Sequence, residues 1–209
     1  MRRTKEASLQ TRGRILSAAR REFAARGVTR TTMQDVAAAA GVTRGAVYFH
    51  FAGKRDLFRA MREQVSLPLF DDTDLLGAAG PDPLGTVERF LRDVIGQIAT
   101  NLQVRRTFDI LSLRCEYVDE FRPDLRRHVQ RCQDLMAKFA PLYARARAIG
   151  AMRPDVSPET AALGTCVFIT GLLRLWLMDA DGSLLRHDVD KLIVAHVDLL
   201  RPATRTPAL

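Results

Sequence analysis

Strand signals are missing from this chain. No run of alternating β-branched residues is bounded by tight hairpin turns, so sheet-based folds are excluded and an all-α architecture is expected. Catalytic signatures are missing too: no G-x-S-x-G elbow, P-loop or dinucleotide fingerprint occurs. The four histidines, His50, His128, His187 and His196, stand at no metal-binding spacing, and neither an enzyme nor a metal or cofactor is expected. Cysteine is scarce. Cys115, Cys132 and Cys166 lie 17 and 34 residues apart and match neither a zinc pattern nor a CxxC motif. They read as reduced core thiols, with a thiol sensor as the alternative. The longest apolar stretch, Ala161 to Leu173, ends at Arg174 after thirteen residues, whereas a membrane span needs about twenty. The opening MRRTKEASLQTR has no apolar h-region of the kind a secretory signal carries, so a cytoplasmic protein with no membrane partner is expected. Internal repeats and low-complexity tracts are absent as well.

What the chain does have is an uneven charge. Residues 1–63 hold 14 Lys and Arg against 5 Asp and Glu, a net of +9, while the remainder holds 18 against 19, a net of −1. A basic module that neutralises phosphates, followed by a module that does not, gives this distribution. No broad apolar face accompanies the basic residues, which argues against an interfacial membrane helix. With 209 residues and 47% hydrophobic content, one small and one larger domain is a natural partition.

Inside the basic segment, the stretch Val42 to Phe58 reads as the second half of a helix-turn-helix followed by another helix start. Thr31 and Thr32 offer N-caps for a short helix, MQDVAAAA, whose Val36, Ala37 and Ala40 share a face. Gly41 tolerates the positive φ that a sharp turn requires, and Thr43 caps the next helix. In that helix Ala46 and Val47 are expected inside and Arg44, Gly45 and Tyr48 outside. Arg44 is the candidate for base readout, because its guanidinium grips guanine O6 and N7 bidentately; Thr32, Thr43, Tyr48, His50 and Lys54 are candidates for backbone contacts.

A first helix spans about Leu9 to Arg26 and is stopped by Gly27. The Gly-, Pro- and Asp-rich segment of residues 68–83 reads as a loop between modules, and later helices are expected over about 83–102, 105–117, 123–149, 157–177 and 187–200. Three stripes recur at i, i+3, i+4, i+7: Phe108, Leu111, Ser112 and Cys115; Cys132, Leu135, Met136 and Phe139; Cys166, Ile169, Thr170, Leu173 and Arg174. Such stripes suit a packed core. Their polar and sulfur admixture also suits a small-molecule pocket. Arg174 suits snorkelling to the surface or pairing with Asp109 or Glu116 equally well.

The run Ala40, Gly41, Val42, Thr43, Arg44, Gly45, Ala46, Val47, Tyr48, Phe49, His50, Phe51 and then Lys54 resembles the DNA-binding signature of the TetR family of bacterial repressors. Gly53 departs from it, standing where many members carry Ser, Asp or Asn. The opening RRTKEASLQTRGRIL, Leu113 to Glu120 and Thr170 to Leu177 resemble its AcrR-type branch. That resemblance implies a three-helix helix-turn-helix domain over residues 1–67, with the motif at about 32–51, joined by a connecting helix to a ligand-binding and dimerisation domain over residues 68–209. It further implies a homodimeric repressor of a multidrug efflux operon, released from a palindromic DNA operator by a small hydrophobic or cationic aromatic effector held among the three stripes. The last two helices would form the dimer interface, with Leu163, Val167, Leu192, Val197 and Leu200 as candidate residues that suit an intramolecular core equally well. The rival reading replaces the effector by a protein partner, by thiol oxidation or by none; tight packing would favour it, and a void lined by Met136, Phe139, Ile169 and Thr170 would disfavour it.

Overall fold

The computed structural model describes residues 2–65 and 80–203, with side chains from residue 5 onward, and its elements are helical. The expected loop over residues 68–83 and the expected domain boundary at residue 67 therefore lie outside the described residues, apart from residues 80–83. The described helices fall into two compact units. The first holds α1 (Arg2–Arg26), α2 (Met33–Ala40), α3 (Arg44–His50), α4 (Lys54–Glu63), α6 (Leu102–Leu113), a 3-10 turn at Asp119–Phe121 and the beginning of α7 (Arg122–Ala148). The second holds α5 (Pro83–Thr100), α7 from Arg127 onward, α8 (Pro158–Met178) and α9 (Val189–Asp198).

In the first unit, α1 begins earlier than the sequence pattern suggests and ends as expected, with Gly27 at φ +82° and its N–H on the Phe23 carbonyl. Ile15, Leu16, Ala19 and Phe23 of α1 pack with Val36, Ala37, Val47, Leu57, Phe58, Met61 and Ile110 in one core. Phe58 sits edge-on between Phe23 and Phe121 at 6.3 and 5.2 Å. Each large side chain so buried contributes about 1.5–3 kcal/mol, which is how a unit built mostly of short helices holds together. Arg20 is buried among them. Its Nε donates to Thr107 Oγ1 at 3.1 Å and its Nη2 to Gln64 Oε1 at 2.8 Å, tying α1 to α6 and to the end of α4. Burial, with Arg106 nearby, lowers its pKa from the usual arginine value.

The expected helix over 105–117 begins and ends earlier, at Leu102 and Leu113. Asn101 sets the start: its side chain accepts from the N–H groups of Gln103 and Val104. The end is set by tertiary contacts, since the Arg114 carbonyl accepts from the Val28 N–H, and Tyr117 and Asp119 take positive φ values of 49° and 46°. Tyr117 is held there by donating from its hydroxyl to the Leu111 carbonyl at 2.9 Å.

In the second unit, α5 buries Val87, Phe90, Leu91, Val94 and Ile98, and α7 buries Leu135, Phe139, Leu142 and Tyr143. Phe90 and Phe139 meet edge-to-face at 5.2 Å. A polar chain crosses this core: the Tyr143 hydroxyl bonds Thr165 Oγ1, which in turn lies 2.9 Å from His196 Nε2, while the His196 ring stacks on Phe168 at 4.1 Å. Burial pushes the Tyr143 hydroxyl well above its usual pKa and lowers that of His196. Among the described residues α8 is the one helix long and apolar enough to cross a membrane, with a mean hydropathy of 1.7 over its best window, so the interruption at Arg174 does not disqualify it by composition. Its apolar side chains divide between two faces. Ala161, Ala162, Cys166, Ile169, Leu172, Leu173 and Trp176 are buried in the unit, whereas Leu163, Val167, Leu175 and Met178 are exposed.

Candidate nucleic-acid interface

Three short sequence devices build the helix-turn-helix. Thr32 and Asp35 form a reciprocal capping box on α2: Thr32 Oγ1 accepts from the Asp35 N–H at 3.1 Å, and the Asp35 carboxylate accepts from the Thr32 N–H at 2.9 Å. The hydroxyl of Thr32 also donates to that carboxylate, and these bonds, with Arg26 beside it, hold Asp35 below the usual carboxylate pKa. Thr31 is not the cap; it is buried and donates to the Gly27 carbonyl at 2.8 Å. At the other end, Gly41 takes φ +63° and turns the chain, with the Val42 N–H on the Ala37 carbonyl. Thr43 then caps α3 by accepting from the Ala46 N–H at 3.1 Å.

Val47 anchors α3 in the core, and Ala46 is half-buried beside it. The outer face carries Arg44, Gly45, Tyr48 and Phe49, all exposed, with the Arg44 guanidinium 5.4 Å from the centre of the Tyr48 ring. This is a basic and aromatic face on a helix held by the turn, the arrangement that reads bases in a major groove. Phe49 is not among the residues the sequence pattern marks for this face, yet at 81% exposure it is the most exposed large apolar side chain of the described residues. His50 is half-buried against Phe49 at 5.1 Å.

Lys54 has internal duties. Its Nζ donates to the Thr29 carbonyl at 2.9 Å and lies 5.8 Å from the centre of the Phe121 ring, which pins the start of α4 to the loop before α2. Gly53 ahead of it supplies no side-chain cap; Asp56 compensates in part by accepting from the Ala52 N–H at 3.0 Å. Two arginines of α1 that spacing alone does not mark complete the motif. Arg14 Nη2 donates to the Ala40 carbonyl at 2.7 Å and Arg21 Nη2 to the Ala39 carbonyl at 3.1 Å, occupying carbonyls at the end of α2 that the helix leaves unbonded.

The stripes considered for an effector divide between the units. Phe108, Leu111, Ser112 and Cys115 belong to the first, where Leu111 and Cys115 pack against the core that supports the helix-turn-helix. There Asp109 pairs with Arg114, and Glu116 accepts from the Thr29 hydroxyl. The second unit holds the other two stripes. Leu135, Phe139, Cys166, Ile169 and Leu173 are buried, Cys132 and Met136 half-buried, and Thr170 and Arg174 exposed. The Thr170 hydroxyl donates back to the Cys166 carbonyl at 2.7 Å.

Of the interface candidates, Leu163, Val167 and Leu192 are exposed and Leu200 is half-buried. Val197 takes the intramolecular alternative: it is fully buried within its own unit, on the side of α9 turned to the core together with Ile193. Leu175, Met178 and Leu199 are exposed instead, and they extend the same α8 and α9 faces at helical spacing.

A capped and arginine-clamped helix-turn-helix with an exposed basic and aromatic recognition helix defines a DNA-binding transcriptional regulator. Residues 15–61 match the model for bacterial regulatory proteins of the tetR family. The HTH-type transcriptional regulator TtgR of Pseudomonas putida is 34% identical over 212 residues, covering 98% of this chain and 99% of that protein. The HTH-type transcriptional repressor BepR of Brucella suis is 34% identical over 99% of this chain and all of its own. The crystal structure of NalD, the secondary repressor of the MexAB-OprM multidrug efflux pump in Pseudomonas aeruginosa, superposes with a TM-score of 0.83 at 32% identity, covering 95% of this chain and 100% of that one. A complex of SmeT with triclosan superposes with a TM-score of 0.72 at 25% identity over 96% of this chain and 99% of that one. The chain belongs to the TetR family of transcriptional regulators, in the neighbourhood of the AcrR-, TtgR- and NalD-type repressors. It is a ligand-responsive DNA-binding repressor rather than an enzyme, and its partners are DNA and a second copy of itself.

Proposed function

We propose that this protein represses a multidrug efflux operon from the cytoplasm and is released from its operator by hydrophobic or cationic aromatic compounds. The observation that carries this reading is the end-to-end similarity to NalD, described as a repressor of a multidrug efflux pump, over 95% of this chain. The complex of SmeT with triclosan, an apolar aromatic compound, supports the effector class. We assign DNA recognition to residues 1–67 and effector binding and dimerisation to residues 68–209. Arg44 reads bases; Thr32, Thr43, Gly45, Tyr48 and His50 set the register on the backbone. Lys54 adds a phosphate contact through the ammonium hydrogens that Thr29 does not use. The sulfur-bearing and polar positions Cys132, Met136, Cys166 and Thr170 give the effector its adaptable surface.

The test pairs calorimetry with operator gel shifts, using triclosan and ethidium as probes and the promoter DNA flanking the protein's own gene. Binding of one probe per subunit with a fall in operator affinity of roughly 5- to 150-fold is expected. Tight operator binding with no response to either probe would turn the assignment toward a protein-controlled regulator.

A further inference from the structure

Two of the three cysteines meet. Cys115 belongs to the first unit, half-buried against its core, whereas Cys132 on α7 and Cys166 on α8 share the second. The Cys166 Sγ lies 3.9 Å from the Cys132 carbonyl oxygen, which brings the two cysteines together across α7 and α8. Neither takes part in DNA recognition. Their exposures differ, with Cys132 half-buried and Cys166 buried. We propose that Cys132 and Cys166 form an oxidation site, in which a peroxide converts the two thiols to an intrachain disulfide that ties α7 to α8 and changes operator affinity.

The chemistry assigns different roles to the two sulfurs. Burial and the neighbouring Cys132 push the Cys166 thiol up to about 11, so at neutral pH it stays protonated and slow toward peroxide. Cys132, the more accessible thiol, is the one attacked. It loses its proton to water, and its thiolate sulfur displaces one oxygen of the peroxide; the O–O bond breaks, a sulfenic acid forms on Cys132, and the released hydroxide leaves as water. The Cys166 sulfur then attacks the Cys132 sulfur. The S–S bond forms, the S–O bond breaks, and the hydroxyl departs with the Cys166 proton as a second water. Two thiols give up two electrons and one peroxide accepts them.

Helices α7 and α8 carry the positions assigned above to the effector, so the regulatory part of this inference rests on that reading, while the disulfide itself does not. The experiment separates them. Full-length protein is treated with hydrogen peroxide, blocked with an alkylating reagent and digested without reductant. A peptide cross-linked through Cys132 and Cys166, loss of two of the three thiols and their return with dithiothreitol are expected. Cys166→Ser should trap a dimedone adduct on Cys132, and Cys132→Ser should yield no disulfide. A cross-link through Cys115, one between chains, or over-oxidation of Cys132 with Cys166 still reduced overturns the site. Operator affinity of the oxidised protein should shift by about 5-fold or more and recover on reduction; equal affinities in the two states overturn the regulatory role. Reduced protein that binds no operator DNA would count against the proposed function and leave the peptide map unaffected.

Discussion

Arg14 and Ala40, twenty-six residues apart, are joined by a 2.7 Å hydrogen bond from the arginine Nη2 to the alanine carbonyl. The bond anchors the last turn of α2 to α1, and a second arginine, Arg21, repeats it one carbonyl earlier. Removing the clamp with Arg14→Ala should lower the stability of the folded chain by about 0.5–1.5 kcal/mol, the range of one solvent-accessible hydrogen bond. Thermal or urea unfolding reads this directly. An unchanged midpoint would mean that water serves the Ala40 carbonyl equally well.

The recognition helix gives the sharpest test of specificity. Arg44→Ala should cost roughly 1–3 kcal/mol of specific operator binding and relax preference at one base pair in each half-site. Lys54→Ala should weaken binding to all sequences alike and flatten the salt slope by about one unit. Because Lys54 also holds the Thr29 carbonyl, that variant should lose about 0.5–1.5 kcal/mol of stability as well. Competition gel shifts with base-substituted operators at several salt concentrations distinguish the two residues.

Gly53 starts α4 without a side-chain cap, and its φ of 178° is extended backbone that serine adopts without strain. A Cβ there meets no atom within 4 Å. Gly53→Ser should therefore raise stability by a few tenths of a kcal/mol, visible as a small upward shift in the unfolding midpoint. A loss of stability would show that the serine competes with Asp56 for the same turn.

Assembly distinguishes neighbouring positions on α9. Leu192→Asp, on the exposed face, should give folded monomers in sedimentation that bind the operator poorly. Val197→Asp puts a charge into the core and should unfold the unit. Folded dimers from Leu192→Asp would remove α9 from the interface.

His196 makes stability depend on pH. Burial lowers its folded pKa below the ordinary 6.5, so the unfolded chain binds the proton more readily. The stability tied to neutral His196 is fully present above about 6.5 and is lost as pH falls through the lowered folded value. His128, lowered by burial and by Arg131, acts in the same sense. Melting curves between pH 8 and about 5 should fall on the acid side, and His196→Gln should flatten that fall.

Much of the DNA-binding unit was legible in the sequence because its decisive features are local. Gly27, Gly41 and Thr43 act on backbone within a few residues of themselves, and each does what its chemistry requires. The end of α6 was not legible, since it depends on Val28 reaching the Arg114 carbonyl and on Tyr117 taking an unusual φ. Nor were Arg14 and Arg21, whose partners lie across the fold on another helix. Val197 shows the limit of periodicity: an apolar residue on α9 fits a core and an interface equally well until the packing chooses. Phe49 is hidden because an aromatic ring without a polar group carries no mark for the outer face, although it stands exposed there.

The two-faced character of α8 ties the protein's behaviour to its abundance. A newly made subunit presents Leu163, Val167, Leu175 and Met178 to water, and a second copy is the natural cover for such a strip. Where pairing supplies part of the stability, that stability rises with protein concentration. Dilution would then weaken occupancy of the operator twice over, through fewer subunits and through a smaller paired fraction, so that a modest fall in synthesis acts as a steep release.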